Sequence, residues 1–348
     1  MNKKILLLVG IIFLISLTAV SASENTTVIG ETSSDELSAT PEDTLEKTYW
    51  YDAGTDREYV DDTVVTHNVV KYYGDKETKF KVKVYDEDYN PQGGVYVSFG
   101  QFAGKYKEKT TNSKGMVYFP INYKVGSHMV ETYIEAEDGV SYWSAYNTVK
   151  IKSTIPVKEL VKYSTSKKKF QIKFLDTKGK ALKNTFVKLT IKGKTYKMKT
   201  NSKGIVKIKS TRFKIGKEKI TAYNPKSGEK RKISVVVLKK GVHKINVKIS
   251  DLYTAIESKK LKNGDYIDTV YETMYRQYNP GVYVEANGGG LTLAKHTKLL
   301  KAKFYFKNPY TGKIITKTSK KVKHSSIVIK PISGYVPYKA TVWYKDKK

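Results

Sequence analysis

The chain has 348 residues, 39% of them hydrophobic, with 64 Lys and Arg against 33 Asp and Glu, a formal charge of +31 and no cysteine. That length and apolar content suffice for several packed domains. The lack of cysteine excludes disulfide staples, a thiol nucleophile and a lipid anchor on cysteine, and the positive charge points to polyanionic partners.

Residues 1–22 carry Lys3 and Lys4, an apolar run over 5–20, and the small residues Ala19, Ser21 and Ala22. They read as a secretory signal peptide removed before Ser23. An uncleaved anchor is the alternative, because the run is only slightly short of the roughly 18 apolar residues of a spanning helix. No later segment approaches that apolar length, so no further transmembrane helix is expected. Residues 23–66 read as an acidic, disordered spacer. Over 23–68 there are 12 acidic residues to 2 basic ones, and the first half has too little apolar surface to offset its ordering entropy. It contains the N-glycosylation pattern Asn25-Thr26-Thr27. The cluster Tyr49-Trp50-Tyr51 marks where order begins.

The next two segments repeat one another. Val70-Lys71-Tyr72, Phe80, Asp86, Thr-Asn-Ser-Lys-Gly at 111–115, Gly126 and Tyr133 recur as Val161-Lys162-Tyr163, Phe170, Asp176, Thr-Asn-Ser-Lys-Gly at 200–204, Gly216 and Tyr223. The shift between partners stays between 89 and 91 residues. A period near 90 suits one small autonomous domain repeated, over 67–152 and 153–238. In the second copy Phe170, Ile172 and Phe174, then Val187, Leu189 and Ile191, Tyr196 and Met198, and Val206 and Ile208 alternate with polar residues. That period of two predicts half-buried strands. Gly193-Lys194 and Asn201-Ser202-Lys203-Gly204 fall between them as hairpin connections. About seven short strands per copy predict an antiparallel β-sandwich of immunoglobulin type without a disulfide.

Residues 239–348 are a basic, β-rich C-terminal module and not a clean third copy. Strands are expected over 300–306, 314–318, 327–329 and 339–344, with a turn at Asn308-Pro309-Tyr310-Thr311-Gly312. Residues 266–278 fit either one helical face or a strand rich in Tyr, Thr and Val; the close turn signals on both sides favour the strand. Gly288-Gly289-Gly290 lacks the context of a phosphate-binding loop and reads as a plain loop. The fold class expected overall is all-β, tandem immunoglobulin-like sandwiches followed by this module.

The repeated unit, running from Lys-Tyr through an aromatic strand, Asp and the Thr-Asn-Ser-Lys-Gly turn to a strand ending in Tyr, resembles bacterial-type immunoglobulin-like repeats. In particular it is similar to those of adhesin-like surface proteins of methanogenic archaea, over about 67–238. Lys295-His296-Thr297-Lys298 and Gly334-Tyr335 with Pro337-Tyr338-Lys339-Ala340 resemble terminal modules of such proteins. The resemblance implies extracellular display, at the cell surface or secreted, and attachment through the modules. It brings no catalytic residues with it.

No enzyme constellation is readable. His67, His128, His243, His296 and His324 lack triad or metal-ligand spacing, Asp86-Glu87-Asp88 lacks the ligand alternation of a calcium loop, and neither cofactor nor metal is expected. The chemistry lies in charge. The basic-to-acidic counts are 12 to 10 over 69–152, 25 to 4 over 153–238 and 23 to 7 over 239–348. With the apolar partners facing inward, Lys188, Lys192, Lys197, Lys199, Lys207 and Lys209 are expected to point outward. They are the candidate contacts for cell-wall or host glycans or other surface polyanions, with no physiological nucleic acid expected behind an export signal. The other reading of the same lysines is that they keep the modules soluble and blunt strand edges. Tyr271, Tyr275 and Trp343 are candidate aromatic contacts. The expected role is adhesion or cell-envelope attachment; alternatives are a structural envelope spacer without a ligand and a non-catalytic subunit of an envelope enzyme.

Overall fold

The computed structural model describes residues 48–52, 57–61, 64–86, 88–135, 141–250, 256–272, 281–288 and 294–348. The signal segment, the acidic stretch up to residue 47 and its Asn25 lie outside the described residues. Glu46–Lys348 forms one compact unit by its internal contacts. Among the described residues there is no α-helix, and the regular structure is β-strand with one short 3-10 turn, Ser210–Arg212.

The first sandwich contains β1 (Thr48–Asp52), β2 (Arg57–Asp61), β3 (Val64–Thr66), β4 (Val69–Tyr72), β5 (Lys79–Val84), β6 (Tyr96–Gln101), β7 (Tyr106–Thr110), β8 (Met116–Pro120), β9 (Gly126–Glu135) and β10 (Ser141–Lys152). One sheet has the order β2-β1-β10-β9-β6-β7, with β4 parallel to the end of β10; β3-β5-β8 form a second sheet. Between them Phe80, Phe99 and Phe119 stack with centroid separations of 4.3 and 5.0 Å, beside a fully buried Trp143. Each such ring contributes about 1.5–3 kcal/mol by leaving water. Strands β1 to β3 fall within the stretch whose composition marks a spacer; β3 forms because Val64 and Val65 are buried against β5 and its core.

The second sandwich follows the same plan with β11 (Glu159–Tyr163), β12 (Phe170–Lys173), β13 (Phe186–Ile191), β14 (Lys194–Lys199), β15 (Ile205–Ile208), β16 (Gly216–Tyr223) and β17 (Lys230–Leu238). Its sheets are β11-β17-β16-β13-β14 and β12-β15, and β11 runs parallel to β17 as β4 does to β10. Phe170, Ile172, Phe174, Val187, Leu189, Ile191, Val206 and Ile208 are all buried, with Tyr196 and Met198 packed partly buried against them. The tight connection between β13 and β14 is Lys192-Gly193, one residue earlier than expected: Ile191 pairs with Lys194, and both turn residues have positive φ (49° and 78°). That is the type I′ geometry whose twist matches a hairpin.

The third sandwich contains β18 (Val242–Lys248), β19 (Ile256–Lys260), β20 (Tyr266–Glu272), β21 (Gly281–Asn287), β22 (Thr297–Lys307), β23 (Ile314–Ser319), β24 (Val322–Lys323), β25 (Ser326–Ile329) and β26 (Val336–Asp346). Its sheets, β18-β26-β22-β23 and β19-β20-β21-β25-β24, are antiparallel throughout. They enclose a core that includes Ile267, Val284, Phe304, Phe306 and Val342. The ambiguous stretch is a strand over Tyr266–Glu272, while residues 273–280, with Tyr275 and Tyr278, and Gly289 and Gly290 lie outside the described residues.

The motif that defines the repeat is spent on the fold. The hydroxyls of Thr111 and Thr200 donate to the carbonyls of Gln92 and Leu182 (2.7 and 2.6 Å) and accept from the amides of Val95 and Thr185 (3.0 Å each). Asn112 Oδ1 accepts from the amides of Lys114 and Met116, and Asn201 Oδ1 from those of Lys203 and Ile205. Gly115 and Gly204 take φ of +67° and +71°, and a Cβ there would meet the carbonyl oxygens of Val84 and Phe174 at 2.2 and 2.5 Å. The Thr, Asn and Gly of each motif thus close the turn, through hydrogen bonds and a positive φ that an apolar or β-branched residue would leave unsatisfied or strained.

Candidate functional site: the outward lysine faces

Because side chains alternate across a strand, burying Val187, Leu189, Ile220, Ala222 and Ile233 turns their neighbours outward on β11-β17-β16-β13-β14. Register then arranges those neighbours in rows. Lys230 lies beside Tyr223, Tyr223 beside Lys188, and Lys188 beside Lys197, so one row across four strands reads Lys-Tyr-Lys-Lys. The next row toward the β13 start holds Phe186 opposite Lys199, and Phe186 is half exposed. Lys197 and Lys199 sit 4.6 and 5.9 Å from the Phe186 ring centroid, and Lys188 is 5.8 Å from that of Tyr223. Adjacent strands are about 4.8 Å apart, well within a screening length of about 8 Å, so the ammonium groups share one field.

The same row in the first sandwich reads Ser144, Tyr133, Ser98 and Glu108. The frame and the tyrosine are kept while three positions change from neutral or acidic to lysine. Glu131, one pair along, accepts a hydrogen bond from the Tyr106 hydroxyl, and this pushes the Tyr106 pKa up to about 12. At this row the first sandwich thus presents two hydroxyls and one carboxylate where the second presents three ammonium groups.

The six predicted lysines do not form one site. Lys188, Lys197 and Lys199 share the face just described. Lys192 occupies the hairpin turn, where it pairs with Glu218 (3.4 Å) and donates to the Arg212 carbonyl. Lys207 points out of the opposite sheet, β12-β15, and Lys209 follows it. Alternation assigns in or out along one strand but says nothing about which sheet a strand joins. Lys230, which completes the row, was missed because only register places it beside Tyr223.

A second lysine face covers β18-β26-β22-β23. Trp343 on β26 lies between Lys244 on β18 and Lys301 on β22, whose ammonium groups are 5.6 and 4.6 Å from its ring centroid. Two residues along, Thr341 is flanked by Asn246 and Lys303; two further, Lys339 is flanked by Lys248 and Tyr305. Lys303 and Lys339 stand 5.3 and 4.9 Å from the Tyr305 centroid. The Thr341 hydroxyl beside the Tyr305 oxygen (3.4 Å), with the charges of Lys303, Lys339 and Lys244, holds the Tyr305 phenol below its ordinary pKa. Among the described residues no carboxylate pairs with these lysines. Lys244 also lines a cleft of about 550 Å³ with Lys239, Lys260, Lys262 and Asp346, on the side toward the second sandwich.

Of the aromatic candidates, only Trp343 is placed on such a face. Tyr271 is partly buried and packs against the core of the third sandwich, which corrects its reading as a contact residue: its strand position turns it inward. Tyr275 lies outside the described residues. Tyr305, which the sequence reading passed over as one of many tyrosines, is the second ring of the face. Among the described residues no group of three His, Cys, Asp or Glu is placed to hold a metal ion.

No family model matches the chain, and no curated protein does. Among solved structures it is similar to fibronectin(III)-like modules of Clostridium thermocellum CbhA, at 14% identity over 51% of this chain and 94% of that one, with a TM-score of 0.21. It is also similar to a Ca2+-stabilized adhesin with which an Antarctic bacterium binds ice, at 11% identity over 82% and 73% of the two chains, with a TM-score of 0.22. A 1.5-MDa bacterial ice-binding adhesin matches at 11% identity over 80% and 96%, with a TM-score of 0.19. Nothing that those proteins bind transfers to this chain at such identities.

Proposed function

We propose that this chain is an exported surface protein that serves adhesion or cell-envelope attachment, using tandem immunoglobulin-like modules whose lysine faces hold anionic glycans. The observation that carries the reading is the row change from Ser-Tyr-Ser-Glu to Lys-Tyr-Lys-Lys on an otherwise retained frame. Solubility alone needs charge of either sign spread over the surface; this chain concentrates one sign on aligned rows. The apolar leader over residues 1–22 supports export. The reading is non-enzymatic: His128 bridges Gln101 and the Lys124 carbonyl, and His296 meets Glu159 at 3.1 Å, contacts that hold structure. The domain scheme carried with it is a signal peptide over 1–22, an acidic spacer from 23, two repeats ending at 152 and 238, and the C-terminal module.

Sedimentation of the purified chain with protein-stripped cell walls, over about 50–500 mM salt, tests this, because contacts through lysines release counterions and weaken with salt. Binding that falls steeply across the series is expected. No binding at the lowest salt would leave the spacer reading, which the contact of Glu159 on the second sandwich with His296 on the third favours.

A further inference from the structure

Within that reading, we infer that the ligand site proper is the outward face of β18-β26-β22-β23, and that it takes a linear acidic polysaccharide. Lys244 and Lys301, whose ammonium groups stand over the Trp343 ring, turn from the indole to carboxylate or sulfate groups on either side, and a sugar ring takes their place against it. Two features separate this face from the lysine face of the second sandwich, where Tyr223 also lies between two lysines, Lys230 and Lys188. Its central ring is the indole of Trp343, larger than the Tyr223 phenol, and a second ring, Tyr305, stands 5.3 and 4.9 Å from Lys303 and Lys339. The lysines on either side of Trp343 stand two strand spacings apart, about 9.6 Å, so a polymer whose charges alternate with ring faces can satisfy both. Lys244 joins the face to the lysine-lined cleft beside it, which gives an extended chain a continuous path.

Polyanions of other kinds fit less well. The rows of this face contain lysine and no arginine, and so lack the planar fork that recognises phosphate bidentately and stacks on bases. Lysine is a compact, strongly hydrated point charge suited to a dispersed series of anions. Between the charged rows the exposed Asn246, which accepts from the buried Thr341 hydroxyl (2.7 Å), offers its amide for sugar hydroxyls.

The test is titration of the full chain with polygalacturonate at low salt, followed by calorimetry, for wild type and three variants. The first variant replaces Lys244, Lys301, Lys303 and Lys339 with Gln; the second replaces Lys188, Lys197, Lys199 and Lys230 with Gln; the third is Trp343→Ala. At least tenfold weaker binding is expected for the first, under threefold for the second, and about tenfold for the third, with unchanged circular dichroism in all. Equal weakening in the two lysine variants, or none with Trp343→Ala, would overturn the site while leaving general anionic attachment standing. Failure of wild type to bind polygalacturonate would remove both. Duplex DNA binding tighter than polygalacturonate, with the same Trp343 dependence, would assign the face to nucleic acid and overturn the glycan.

Discussion

Tyr72 of the first sandwich lays its ring against Gly179 of the second, so closely that a Cβ at 179 would stand 2.3 Å from a ring carbon. Gly179 sits at φ +80° in the turn that Asp176 closes by accepting from the amides of Lys178 and Lys180. Its repeat partner does a related thing one module on: the Tyr163 hydroxyl donates to the Asp346 carbonyl of the third sandwich at 3.2 Å. The tyrosine that ends each Val-Lys-Tyr is therefore a joint residue, and the array is built by one rule applied twice.

Tyr72→Ala is expected to loosen the first joint without unfolding either module. Residual dipolar couplings should then show a wider spread of orientations between the first two sandwiches, with an unchanged denaturant midpoint. Gly179→Val adds backbone strain of about 1–3 kcal/mol and should lower the midpoint as well.

The turn motif predicts a matched pair of losses. Asn201→Ala removes the acceptor of two solvent-exposed backbone amides and is expected to cost about 0.5–1.5 kcal/mol in urea unfolding. Gly204→Ala should cost a similar amount for a different reason, since its positive φ and the Phe174 carbonyl both oppose a side chain. Asn112→Ala and Gly115→Ala should repeat the pattern in the first sandwich, and no effect in either copy would show that these turns are incidental.

Lys71 is buried, with its ammonium donating to the carbonyls of Thr78 (2.9 Å) and Ile121 (3.2 Å). Burial lowers its pKa below 10.5, partly offset by Asp75. Between that lowered value and 10.5 the unfolded chain holds a proton that the folded chain has released, so this residue makes stability rise with pH there. Lys71→Met should remove that slope, read as the difference between the two proteins' urea midpoints as pH rises toward 10.5.

Charge on the row is transferable if the frame alone positions it. The double change Ser98→Lys and Glu108→Lys should give the first sandwich salt-sensitive retention on a carboxylated resin, eluting later than wild type. Stability should move by no more than about 0.5 kcal/mol, as expected of surface positions.

The Tyr305 phenol is expected to titrate below its ordinary pKa in ultraviolet absorbance at alkaline pH, because the Thr341 hydroxyl beside it and then the charges of nearby lysines favour the phenolate. Replacing Lys303 and Lys339 with Gln should move that early phase upward, and replacing Lys188 should leave it alone.

The sequence by itself determined the all-β class, the repeated motif and the strands β12 to β15 of the second sandwich, because a buried side at every second residue writes itself into the order of residues. The strands over 300–306 and 339–344 were legible for the same reason and proved longer, Thr297–Lys307 and Val336–Asp346. What only the tertiary structure decided is which outward residues become neighbours. Alternation says that Lys188 and Lys207 both face out, yet sheet assignment places them on opposite sides of one sandwich. It could not say that Trp343 sits between two lysines drawn from strands nearly 100 and 42 residues away, since Lys244 and Lys301 meet it only through register. Strand partnership is set by loop closure and core fit across the whole module, and neither is contained in the local pattern.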